Sequence, residues 1–307
     1  MAPFKSTQSF SVGTFLKTFR NRDAVGDDAL NSPVRTETAA PNVNATGGTK
    51  VPYSESPDGR TYHIFTDADV GPATFFTVTS TGGETIEVLL VAGGGGGGPG
   101  GDSAGGGGGA GGLVYRHSVP ISAQAYPMVI GPGGSGKNNG GDTTGFSLTA
   151  LGGGQGCGRE GVPSGGPSTP GGSGGGGGSY PSYPNVSEGS GTQPGQNPGV
   201  PNLTQYGNPG YSPNDSPAPN YYPGTGGSGN AGNNRTVNAT FPNSSTIISE
   251  APPAISSKNL ARGGYYSPPG APTPWANDDY GSGGRGTPGA NAGGMDGVVV
   301  VRYGIDP

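Results

Sequence analysis

Few groups in this 307-residue chain are of a type that does chemistry. Gly131-Pro-Gly-Gly-Ser-Gly-Lys137 matches the G-x-x-x-x-G-K pattern of a phosphate-binding loop. In such a loop successive backbone N–H groups cradle phosphates and the lysine reaches the terminal ones. Position 138 is Asn where the metal-binding Ser or Thr belongs. Asn138-Asn-Gly-Gly-Asp142 also cannot open the helix whose N-terminus would hold the phosphate. The same residues are good hairpin-turn sequence, and that reading is preferred. His63 and His117 fall inside expected strands, where a lone histidine is structural or surface-exposed more often than a base. Cys157, the single cysteine, lies in Gly156-Cys-Gly158 with no His/Asp arrangement to make it a nucleophile. Asp278 and Asp279 are adjacent in a loop, where two carboxylates rarely converge on one bond. No catalytic residue, metal or cofactor is therefore expected; only measurable nucleotide binding requiring Lys137 would revive an enzymatic reading.

The recognition-type residues are more numerous. Tyr180, Tyr183, Tyr206, Tyr211, Tyr221, Tyr222, Tyr265, Tyr266, Trp275 and Tyr280 gather in one third of the chain. Tyr and Trp offer large rigid contact area with a polar end, and they stack on sugar rings. They equally order their own loops by packing on Pro rings and glycine backbone, or bury against neighbouring subunits. A second aromatic set, Phe4, Phe10, Phe15 and Phe19, lies in the first 20 residues. That segment is too short to bury four Phe alone, which points to a partner protein.

The elements that must carry these residues are unusual. Gly (68) and Pro (32) together make close to one third of the chain. No strict Gly every third position runs through it, which excludes collagen. A net charge of −5 with 11% charged residues does not suit charge-driven disorder or a nucleic-acid surface. No apolar run approaches the length of a membrane span, and no signal peptide is recognisable at the N-terminus. A lone cysteine supplies no internal disulfide, and two His add no structural zinc site. The N-x-[ST] sequons carry little weight in a chain so rich in Asn, Ser and Thr.

β-Branched and aromatic runs predict strands at Tyr62–Thr66, Thr74–Thr79, Thr85–Val91, Leu113–His117, Tyr126–Ile130, Phe146–Thr149 and Val298–Tyr303, with a strand-like island at Thr246–Ser249. Phe15, Leu16 and Phe19 allow either a short helix or extended structure, and Asn31–Thr49 reads as an extended linker. Between the strands lie Gly93–Gly98, Gly105–Gly109, Gly152–Gly154 and Gly174–Gly178. Ordering such tracts costs backbone entropy that hydrogen bonding must recover. Extended three-residue-per-turn helices have no internal hydrogen bonds, so side-chain-free copies can pair laterally. The expected fold is mostly β with polyglycine-type helices, little or no α-helix and long ordered Gly/Pro-rich loops.

From Val88-Leu-Leu-Val-Ala-Gly-Gly-Gly-Gly-Gly-Gly98 onward, the chain resembles the glycine-rich domain of tailed-bacteriophage fibre and adhesin proteins. Gly105–Gly112 leading into Leu113-Val-Tyr-Arg, then Val119–Gly134, Asn139–Gly154 and finally Gly293-Gly-Met-Asp-Gly-Val-Val-Val-Val-Arg-Tyr303 continue the likeness in order, over roughly residues 60–303. The N-terminal Met1–Phe10 resembles a virion-attachment peptide of phages of marine cyanobacteria. The resemblance implies a non-enzymatic virion exterior protein: residues 1–50 attach to other virion proteins, and 51–307 form the glycine-rich domain. Its Pro/Tyr-rich loops at about 160–284, where the chain departs from the family pattern, would meet a host glycan or outer-membrane protein. Several copies per particle or a homo-oligomer are implied, and no nucleic-acid partner. The competing expectation is a head, neck or tail decoration protein whose loops pack on neighbouring subunits.

Overall fold

The computed structural model describes residues 43–66, 74–100, 105–158, 167–180, 183–186, 188–211, 260–261, 263, 280–284, 287–288 and 293–304. The chain divides into two units, Met1–Ala40 and Pro41–Pro307, and every described residue belongs to the second. The possible helix around Phe15 and the island at 246–249 lie outside the described residues.

The architecture is mostly β. Its centre is a six-stranded antiparallel sheet in the order β13 (Leu203–Tyr206), β7 (Leu113–Pro120), β5 (Thr85–Val91), β15 (Val298–Tyr303), β3 (Thr61–Phe65), β2 (Thr49–Val51). The two middle strands, β5 and β15, read as nearly unbroken apolar runs because both faces of the sheet are covered. On one face Phe65, Val88, Leu90, Val299 and Val301 join Phe76, Val78 and Met128. Those three belong to a second sheet, β1 (Asn44–Thr46), β4 (Thr74–Ser80) and β8 (Ala125–Met128). A hairpin, β9 (Thr143–Gly145) and β10 (Leu148–Ala150), closes that core with Phe146, Leu148 and Ala150. Two-residue strands β6 (Pro99–Gly100) and β14 (Thr287–Pro288) form a separate parallel pair. On the opposite face Tyr62, Leu89, Val91, Leu113, Val298 and Val300 pack under Ala110, Leu260 and Ala261.

Three expectations need correction. Residues 44–49, read as the end of a linker, hold β1 and open β2, which runs on to Val51. The run Phe146–Thr149 is not one strand. Phe146 and Ser147, at φ 54° and 59°, make the two-residue turn of the β9–β10 hairpin, a conformation whose twist matches that of the flanking strands. The region 180–280 holds β13, together with the short pair β11 (Gly178–Tyr180) and β12 (Tyr183–Val186). Asn197 helps to seat β13. Its amide nitrogen donates to Thr149 O (2.8 Å) and Gln205 Oε1 (3.0 Å), and its Oδ1 accepts from Thr149 N (2.9 Å).

Beyond the sheet, the glycine tracts run side by side, joined through their backbones. Gly93 and Gly96 donate to Gly141 and Asn138, Gly95 and Gly98 to Gly109 and Gly106, and Gly94 to Met295. Gly106, Gly109 and Gly112 donate to Cys157, Gly154 and Leu151. Gly154 and Cys157 in turn donate to Ser173 and Gly176. Each neighbour is therefore met every third residue, the spacing that laterally packed extended helices with three residues per turn require. The stretch 93–98 is bonded to six surrounding segments, since its carbonyls also accept from Gly134, Gly153, Gly156 and Gly284. Side chains are excluded by contact. A Cβ on Gly93, Gly95, Gly109 or Gly153 would land well inside van der Waals contact of a neighbouring backbone carbonyl.

The bonds also rank the residues along the bundle. Ala92, Gly112 and Leu151 lie level with each other beside the sheet. Gly98, Gly106, Cys157 and Gly176 form a layer at the far end.

Candidate functional site

Of the groups singled out for chemistry, the loop 131–137, Cys157 and His63 help to hold the fold, whereas Asp278 and Asp279 lie outside the described residues. In the loop 131–137 the Gly131 N–H donates to Thr143 Oγ1 (2.9 Å), Gly133 to Asp296 Oδ1 (2.6 Å) and Gly134 to the Gly94 carbonyl (2.8 Å). Three amides of the loop are thus taken, one of them by a carboxylate of the chain itself. The segment 135–138 is a turn, closed by Asn138 N–H donating to Ser135 O at 3.2 Å. Cys157 is buried inside the bundle, its backbone bonded to Gly106 and Gly176. His117 is exposed, with Nδ1 3.4 Å from Ser118 Oγ. Among the described residues no group of three His, Cys, Asp or Glu is placed to hold a metal ion.

His63 is fully buried. Its Nδ1 lies 2.7 Å from the Gly47 carbonyl, so this nitrogen donates, and Nε2 accepts from the Tyr303 hydroxyl at 3.0 Å. Burial, with Lys50 adding to it against the Gly47 bond, lowers the imidazole to about 4.

An ion network that the sequence reading did not single out closes one end of the sheet. In the ladder Arg302 stands between Tyr62 and Glu87, all on one face. Glu87 accepts from Arg302 Nη2 (2.6 Å), Arg60 Nη1 (2.7 Å) and the Tyr115 hydroxyl (2.7 Å). Asp58 accepts from the Tyr62 hydroxyl at 2.7 Å and lies 3.4 Å from Arg302 Nη1. Burial alone would raise Glu87, but Arg302, the Tyr115 bond and Arg60 outweigh it and hold the carboxyl below its ordinary range. Burial and the bond to Asp58 push the Tyr62 phenol up, and burial with Glu87 does the same to Tyr115. A single charge at the same end of two apolar strands, Glu87 in β5 and Arg302 in β15, was the available signal.

The aromatic candidates divide. Tyr206 at the end of β13 and Tyr280 are half-buried and pack on the cluster around Leu89 and Val300. Tyr211 is half-buried in the far layer of the bundle, where its carbonyl accepts from Gly177 N–H at 3.0 Å. Tyr180 and Tyr183 pair across β11 and β12, strands that follow directly from that layer. Tyr221, Tyr222, Tyr265, Tyr266 and Trp275 lie outside the described residues, as do Phe4, Phe10, Phe15 and Phe19. The structure therefore brings Tyr180, Tyr183 and Tyr211 to the end of the bundle away from the sheet, and sets Tyr206 and Tyr280 against the core.

A family model described as a glycine-rich domain matches residues 70–304. The chain belongs to this glycine-rich domain family. The matched span of the glycine-rich domain takes in every tract of the bundle and the strands from β4 to β15, whereas β1, β2 and β3 precede it. No curated protein matches the chain.

Proposed function

We propose that this glycine-rich protein is a non-enzymatic component of a virion exterior, a tail fibre or fibre-tip adhesin that contacts the host cell. The observation that carries the reading is the polarity of the bundle. The described tracts end in the layer formed by Gly98, Gly106, Cys157 and Gly176, and Tyr180, Tyr183 and Tyr211 lie at that same end. A scaffold whose backbone groups bond within itself can present residues at this end without contributing side chains of its own. Binding then comes from aromatic and polar loop residues meeting a host glycan or outer-membrane protein. Many copies on one particle would raise the effective affinity with no new contact. Residues 1–50 would attach the protein to other virion proteins.

A second reading, a decoration protein whose loops pack on neighbouring subunits, is favoured by the burial of Tyr206 and Tyr280 against the core. Adsorption separates the two. Purified chain mixed with susceptible bacterial cells should bind saturably, and Tyr183→Ala with Tyr211→Ala should weaken binding at least tenfold while the melting temperature holds. Absence of saturable binding, together with unchanged particle adsorption by the variants, would sink the adhesin reading in favour of the decoration protein.

A further inference from the structure

We infer that residues 43–51 form a strap over the core whose closure is controlled by protonation of His63. The strap changes sheets. Asn44–Thr46 pairs with β4 of the three-stranded sheet, whereas Thr49–Val51 pairs with β3 of the six-stranded one. The crossing is made by Gly47 and Gly48 at φ 115° and 57°, a left-handed geometry that favours glycine. It is also tight: a Cβ on Gly47 would run into the Phe75 carbonyl, and one on Gly48 into the Ile64 carbonyl.

His63 pins this crossing from below. Its imidazole spans from the Gly47 carbonyl to the Tyr303 hydroxyl of β15 and packs edge-on to Phe76 of β4, ring centroids 5.1 Å apart. Among the described residues the charged group that bears on the ring is Lys50 of β2, directly opposite His63 in the ladder and of like sign to an imidazolium. Tyr303 is its titratable neighbour on β15, pushed up to about 12 by burial and so a neutral partner throughout the acid range. Phe76 cannot titrate. Among the described residues an imidazolium formed here is buried and meets no carboxylate, and raising the strap would take the Gly47 carbonyl off the ring and open that side to water.

The sign follows from the lowered value. With the strap closed the ring titrates near 4, and once the strap opens it returns towards its ordinary 6.5. Between those values the open form binds more protons, so acid favours opening. Closure is fully supported above about 6.5, and that support is lost as pH falls towards 4. The strap and His63 precede the span matched by the glycine-rich family model, whereas Phe76 and Tyr303 lie within it.

Amide hydrogen exchange of the full chain, corrected for intrinsic rates, tests the inference. The opening constant of peptides covering 43–51 should rise on the order of a hundredfold between pH 7 and pH 4, while peptides covering 86–91 and 298–303 stay protected. In His63→Gln, whose amide can still donate to Gly47 O, the rise should vanish. A flat opening constant in the native chain overturns the inference, as does an equal rise in His63→Gln or loss of protection across both sheets together. The ring itself can be titrated by NMR in the unmodified chain, so the inference stands or falls even if the variant fails to fold. A His63 midpoint between 4 and 5 supports it, and one near 6.5 overturns it.

Discussion

Gly95→Ala is expected to destabilise the domain by about 3 kcal/mol or more, lowering its melting temperature by roughly 10 °C. The reason lies in the kind of atoms that surround the position. Gly95 donates to Gly109 O at 2.9 Å, and its carbonyl accepts from Gly284 N at 2.7 Å. The added methyl would be driven into the Gly154 and Gly153 backbone, which cannot swing aside as a flexible side chain would. Making room means parting two tracts, and each parted tract strands buried N–H and carbonyl groups that cost about 1–3 kcal/mol apiece. Gly195→Ala is the matched control. Its Cβ meets nothing within 4 Å and its backbone is not left-handed, so its effect should stay within about 0.5 kcal/mol. Equal melting temperatures for the two variants would mean that the tracts are not in backbone contact.

Glu87→Ala is expected to cost about 3 kcal/mol. The substitution removes one acceptor from three donors at once, Arg302, Arg60 and Tyr115. The Arg302 side chain is only 4% exposed, so water cannot replace the lost carboxylate, whereas Glu87 itself is 20% exposed, which keeps the figure at the lower end. Glu55→Ala on the exposed 53–55 turn should change stability by no more than about 0.5 kcal/mol. A double variant, Glu87→Met with Arg302→Met, should be more stable than either single change, because the two strongest partners leave together and neither strands the other. Acid behaviour gives a separate check. Glu87 titrates below its ordinary 4.5 in the folded chain, so its contribution is complete above that value and is lost as pH falls through the lowered one. The native chain should therefore lose stability over that acid interval, and the Glu87→Ala variant should lose less. Additive single and double changes, or identical acid profiles, would contradict the network.

Much of the sheet could be read from the sequence, and the reasons are particular. Thr85–Val91 and Val298–Tyr303 stand out because strands covered on both faces need no polar alternation, and glycine marks both ends of the apolar runs. Asn44–Thr46 and Thr49–Val51 did not stand out. Three-residue strands carry too few side chains to show a period, and the Thr, Ala and Pro around them suit a linker equally well. Leu203–Tyr206 was hidden for another reason: its partner β7 lies 90 residues earlier, and the amides that seat it, Gln193 and Asn197, reveal nothing until the chain is folded. Phe146–Thr149 misled because Phe and Ser occupy left-handed positions usually given to Asn and Gly.

The bundle marks the limit of what such reading can reach. Lateral pairing of glycine tracts followed from elementary considerations of backbone hydrogen bonding. Which tract neighbours which did not, since a residue without a side chain leaves no pattern to match. The network around Arg302 and the strap over His63 were likewise invisible, because each depends on residues brought together from opposite ends of the chain. The aromatic positions sorted themselves only through the hydrogen bonds that rank the tracts, with Tyr211 in the far layer and Tyr280 against the core.

The central claim is that glycine here builds a scaffold by backbone pairing, and amide exchange of the tracts measures it most directly. The amides of Gly93–Gly96, Gly106, Gly108, Gly109, Gly111, Gly112, Gly153, Gly154 and Gly156 should exchange as slowly as β5 and β15, since they are buried and bonded to neighbouring tracts. Exchange of those amides at the rate of an unstructured glycine chain, with the sheet still protected, would contradict the account.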